Sequence, residues 1–122
     1  MAEFAFQQLE RAHEARFKLD QETRFKAECR RNRLLGLWAA ELMGLGSEER
    51  DQYARQLVAF NMETPGAGNL IRKVAADLDN HGVPQSENEI GAALSRFLAK
   101  ALAELSGEFP RALDSDHVTI GG

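Results

Sequence analysis

Few side chains in this chain are spaced for covalent or metal chemistry. The three histidines, His13, His81 and His117, are far apart, and none has a second His or Cys at metal-ligand spacing. Gly66-Ala67-Gly68 precedes a helical pattern and could bind an anion, but it lacks the Lys-Ser/Thr of a phosphate loop and reads as a flexible connection. Cys29 stands beside Arg30, Arg31 and Arg33, which would lower a thiol pKa, yet one thiol with no histidine nearby in sequence reads as inert. The arginine-rich run Arg24–Arg33 resembles the basic region of a zipper-type DNA binder. That motif requires a leucine heptad to follow, and here Gly36 and Gly44 arrive instead, while Glu22 and Glu28 dilute the field. Pairing of these arginines with acids on later helices, such as Asp77 and Asp79, is the alternative. No enzyme, no cofactor, no metal and no nucleic-acid partner is expected. What remains is chemistry of contact.

Bulk properties agree. The chain has 122 residues, 43% hydrophobic and 28% charged, as in an ordinary globular domain of one core. No apolar run approaches the ~18–20 residues that span a bilayer, and the N-terminus lacks the layout of a secretory signal. One cysteine excludes a disulfide framework and fits a reducing, cytoplasmic setting. The net charge of −4 is uneven: residues 1–33 hold 8 of the 15 Lys/Arg and 6 of the 19 Asp/Glu. A basic-leaning arm on an acidic body suggests a macromolecular partner for the arm.

The elements that would position such contacts are helices. From Glu3 to Arg33 there is no Gly or Pro, and good helix formers dominate. The chain then turns apolar, with Leu35, Trp38, Leu42 and Leu45 at helical steps. Trp38 is the natural centre of a core. Gly44 suits a left-handed C′ position, Ser47 reads as the N-cap of a second helix to about Met62, and Glu63–Asn69 reads as a loop. Leu70, Ile71, Val74 and Leu78 mark a third helix, closed by Asn80-His81-Gly82. Ser86 and Glu89 form a capping box for a fourth, which carries Ile90, Leu94, Phe97, Leu98, Ala101, Leu102 and Leu105. The fold class is all-α: a four-helix bundle with a long first helix and an N-terminal amphipathic arm. Its divisions are an arm at 1–19, disordered or nascent helix, a bundle at 20–106 and a loose tail at 107–122.

Within the arm, Phe6, Leu9, His13 and Phe17 fall at steps of three and four, one stripe of an amphipathic helix. Gln21, Arg24, Glu28 and Arg31 separate this stripe from Leu35 and Leu42 on the same helical line. The bundle needs the second patch and leaves the first spare, either for a partner or as a cap folded back on the bundle.

Two stretches carry a family resemblance. Arg24-Phe-Lys-Ala-Glu-Cys-Arg-Arg-Asn-Arg-Leu-Leu-Gly-Leu-Trp-Ala-Ala-Glu41, and Ile71-Arg-Lys-Val-Ala-Ala-Asp-Leu-Asp79 with Gly82-Val83, resemble the ζ subunit, the ATPase-inhibitor family of alphaproteobacterial rotary ATP synthases. The likeness extends over roughly Phe6 to Leu105. It implies a four-helix protein, monomeric when free, whose arm enters the catalytic head on the cytoplasmic face of the inner membrane. There the arm would lie between catalytic and non-catalytic subunits beside the central stalk and block hydrolysis. Phe6, Leu9, Glu10, Arg11, His13, Glu14, Phe17 and Lys18 are the candidate contacts. His13 stands where many relatives have an aromatic residue, and its protonation would make binding depend on pH. The alternative function is a helical regulatory module that binds a nucleotide, through Gly66–Asn69, or another protein without inhibiting directly.

Overall fold

We describe the protein from a computed structural model, which covers the backbone of residues 2–114 and the side chains of residues 21–107. It comprises α1 (Ala2–Leu42), α2 (Ser47–Glu63), α3 (Ala67–Asn80) and α4 (Glu87–Asp114), with no strand among the described residues. α1 is the strut. Both α2 and α4 pack along it, and α3 leans mainly on α4.

Two helix ends share one device. After α1, Gly44 takes φ 77°, its N–H bonds to Glu41 O (3.0 Å), and the Leu45 N–H reaches back to Ala40 O (3.1 Å). After α3, Gly82 takes φ 74°, with Gly82 N–H to Asp79 O (3.0 Å) and Val83 N–H to Leu78 O (3.0 Å). Both are Schellman ends, in which glycine accepts a left-handed backbone and the last carbonyls find partners. The capping box before α4 is formed, with Glu89 N–H on Ser86 Oγ at 3.0 Å and Ser86 N–H on Glu89 Oε1 at 3.4 Å.

Several boundaries differ from those read in sequence. Ser47 is the first helical residue of α2, not its cap; Gly46 takes that place in extended conformation, and no side chain caps the helix. The loop read as Glu63–Asn69 shrinks because α2 keeps Glu63 and α3 already begins at Ala67. Asn61 and Asn69 make this possible by satisfying backbone carbonyls in the turn: Asn61 Nδ2 donates to Thr64 O and Gly66 O, and Asn69 Nδ2 to Pro65 O. α4 runs through Gly107 to Asp114.

The core is aliphatic. Leu35, Leu57, Leu70, Val74, Leu78 and Ile90 are the largest fully buried side chains. Trp38 is half-buried at their edge and meets Phe97 edge-on, with ring centroids 6.5 Å apart. It flanks the core and is not its centre. Leu42, expected inside, is 37% exposed. The buried face of α1 follows Ala27, Arg31, Leu35 and Ala39 at steps of four, with Asn32, Gly36 and Ala40 beside them. On that wheel Leu42 falls between Arg31 and Leu35, within the stripe, but it is the last residue of α1, at the end of the buried seam. A smaller cluster of Ala27, Ala101 and Leu105, with Leu98 against it, extends the α1–α4 contact toward the arm.

Gly36 sets how closely α1 and α2 approach. A Cβ built there would lie 2.7 Å from Ala54 Cα, a backbone atom that cannot move without its helix. A separate polar contact joins α2 to α3. Tyr53 donates to Asp77 Oδ2 at 2.8 Å, and Lys73 of the same helix donates to that oxygen at 2.9 Å. Burial, with the hydrogen bond to Asp77 and its charge, raises the Tyr53 pKa. Asp77 is therefore occupied within α2 and α3, and the α1 arginine pairing expected of it goes elsewhere. Arg30 reaches Glu104 of α4 at 3.5 Å.

Two substitutions test this packing. Gly36→Ala gains up to ~1 kcal/mol of helix propensity but overpacks a backbone contact at ~1–3 kcal/mol. A net loss is expected in urea unfolding, and an unchanged midpoint would contradict the close approach. Tyr53→Phe should lower stability by ~1–1.5 kcal/mol at neutral pH through loss of the hydrogen bond. A phenol whose pKa folding has raised contributes stability that is whole below its ordinary value of 10.0 and is lost as pH climbs beyond it. The difference between wild type and Tyr53→Phe should accordingly shrink in melts above that pH.

Candidate functional site

The candidate contacts Phe6, Leu9, Glu10, Arg11, His13, Glu14, Phe17 and Lys18 all fall on the N-terminal half of α1. Their side chains lie outside the described residues, as do His117 and the tail after 114. What the described structure defines is the root from which this helix half leaves the bundle, between Gln21 and Leu35.

At that root the helix is charged outside and polar inside. Arg31 is 8% exposed and Asn32 4% exposed, the two buried polar residues among those described. They survive burial because each is paired. Arg31 Nε donates to Asn32 Oδ1 at 2.9 Å, Asn32 Nδ2 donates to Asn61 Oδ1 at 3.0 Å, and Asn61 in turn holds the α2–α3 turn. Every buried side-chain polar atom among the described residues has a partner. Burial pulls the Arg31 guanidinium below its ordinary range, opposed by the Glu28 charge. This chain of bonds fixes α1, α2 and the start of α3 to one another. Sequence reading missed it, having placed Arg31 in the charged gap between two apolar patches. A signal was present: Arg31 and Asn32 lie four and three residues before Leu35, on the inner face.

Outside, Phe25 is 57% exposed and Met62 55% exposed. Between them an open groove runs along α1 and α2 over Cys29 and Val58. Cys29 is half-buried in its floor. Burial is the largest influence on its thiol, the Glu28 carboxylate acts in the same direction, and both push the pKa up against the opposing pull of Arg31. The arginines beside it in sequence do not activate it.

Elsewhere, the sequence candidates are engaged within the fold. His81 caps α3, with Nδ1 2.9 Å from Asp77 O; since a carbonyl only accepts, Nδ1 carries the proton. At the glycine turn Asn69 bonds Pro65 O and receives Arg72 Nη2 at 2.7 Å. Among the described residues no group of three His, Cys, Asp or Glu could hold a metal ion, and no helix is long and apolar enough to cross a membrane.

Together these define an all-helical bundle hung on one long helix, with its polar interior serving the packing. The chain belongs to the ATPase inhibitor subunit zeta family, whose sequence model matches residues 1–104, from the arm through nearly all of the bundle. A protein solved by solution NMR is 40% identical, with a TM-score of 0.59 over 69% of this chain and 95% of its own. No curated relative matches the chain.

The state of Cys29 yields a direct test. Alkylation by iodoacetamide in the native protein should be slower than for a free cysteine at pH 7.5–8, with a midpoint above the ordinary 9.0. Glu28→Gln removes one of the two raising influences and should shift that midpoint downward. A midpoint below the ordinary value would mean that the arginines dominate.

Proposed function

We propose that this chain inhibits ATP hydrolysis by a rotary ATP synthase, and that residues 1–19 are the inhibitory arm. The observation that carries the reading is the family match, which takes in the arm and the bundle as one unit. In this reading the arm enters the catalytic head, between a catalytic and a non-catalytic subunit and beside the central stalk, and stops rotation. The chain acts by contact and not as an enzyme, and is monomeric when free.

Physical chemistry shapes the mechanism. Phe6, Leu9, His13 and Phe17 share one helical stripe, which suits an amphipathic helix laid in a groove. An arm of about 15 residues that had to order on entry would lose ~1–2 kcal/mol per residue. Phe6, Leu9 and Phe17 return only ~1.5–3 kcal/mol each on burial. Tight inhibition therefore requires a nascent helix that completes on entry, together with polar contacts from Glu10, Arg11, Glu14 and Lys18. The bundle supports this by burying Ala27 against Ala101 and Leu105, so that the strut is held immediately behind the arm.

Deleting residues 1–18 should raise the concentration for half-inhibition of the cognate ATPase at least about a hundredfold, the equivalent of losing two apolar anchors. Melting of the bundle should change little, because its described core runs from Ala27 to Leu105. A truncated chain that inhibits as well as the whole would overturn the arm mechanism.

A further inference from the structure

We propose that the groove between α1 and α2 at the root of the arm is a second docking surface, one that receives an acidic, apolar-tipped peptide segment of the catalytic head. The inference rests on the functional reading above and adds to it a partner contact made by the bundle.

Three observations carry it. First, Phe25 and Met62 are the most exposed large apolar side chains among the described residues, at 57% and 55%. They come from different helices and flank one groove, over a floor of Cys29 and Val58. The larger hollow is about 750 Å³ and the adjoining one about 400 Å³, room for a few side chains of a partner segment. Second, the charge of the larger hollow is one-sided. Arg33 and Arg55, both exposed, line it together with Lys26 and Arg30, which have partners of their own. Among the described residues the carboxylate in its lining is Glu104, which pairs with Arg30, on a chain whose net charge is −4. A cationic rim around exposed apolar side chains selects carboxylates beside an apolar anchor, steering the encounter and fixing register. Third, Phe25 lies on the same helix as the arm and just behind it. Entry of the arm into a cleft brings this groove to the mouth of that cleft.

Nucleic acid fits less well: Met62 and the Cys29–Val58 floor offer no aromatic face for a base to stack on.

The test uses the full-length chain with Arg55→Glu, and with Arg55→Glu and Met62→Asp combined. Inhibition of the cognate ATPase is measured at low and near-physiological salt, alongside melting. Both positions are exposed on α2. The double variant is expected to inhibit about tenfold more weakly, with less salt dependence than wild type and an unchanged melt. Should Met62→Asp disturb folding, Arg55→Glu alone should still reduce the salt dependence and weaken inhibition several-fold. Equal potency and equal salt dependence of wild type and both variants would overturn the docking surface while leaving the inhibitory arm standing. A wild-type chain that neither binds nor inhibits the enzyme would remove the functional reading, and the inference with it. Self-association that the variants abolish without loss of inhibition would instead assign the groove to a second copy of the chain. Duplex DNA binding lost in the variants, with inhibition intact, would assign it to nucleic acid.

Discussion

The arrangement of helices depends on the contact of Gly36 with Ala54, where α1 and α2 come close enough that a single methyl group would strike a backbone atom. Two small residues, one on each helix, fix the separation of the axes. That separation puts Asn32, one turn back along α1, within hydrogen-bonding reach of Asn61, and lets Leu35 and Leu57 share one buried cluster. A larger residue at either place would hold the two helices apart and leave the asparagines short of each other.

The polar chain from Arg31 through Asn32 and Asn61 to Thr64 and Gly66 depends on that contact. It orders the α2–α3 turn, which in turn sets α3 so that Leu70, Val74 and Leu78 complete the aliphatic core. A buried network costs free energy wherever one member is left unpaired, so it favours one mutual placement of these helices over its near alternatives. α4 contributes differently. It packs on the opposite flank of α1 through alanine and leucine, and its contact extends toward the arm as far as Ala27.

α1 thereby has two jobs along one element. From Ala27 to Ala40 it is the strut on which the bundle closes, with Phe25 and the cationic groove on the outer side of its root. Ahead of that lies the stripe of Phe6, Leu9, His13 and Phe17, which belongs to the inhibitory reading. A helix continuous from bundle to arm carries any contact made at the root directly to the orientation of the arm. This is the physical reason to consider groove and arm together.

Periodicity, glycine ends and the Ser86–Glu89 box sufficed to read four helices and most of the core from sequence, because these are local: each depends on residues a turn or two apart. The arginine-rich root was also visible, and the family motif made the chain's membership legible. What sequence misjudged was every feature that needs a second helix. Trp38 and Leu42 have the right spacing for a core, but a stripe read on one helix cannot tell which part of its arc, or how much of its length, its neighbours cover. Gly36 read as a break in a heptad, whereas it is the point of closest approach. Arg31 read as part of a charged gap, whereas it is buried beside Asn32. The arginines seemed suited to Asp77, but that carboxylate accepts from Tyr53 and Lys73. Sequence by itself determined the elements. Only the tertiary structure decided which faces meet, because burial and pairing are set by distances between segments remote in the chain.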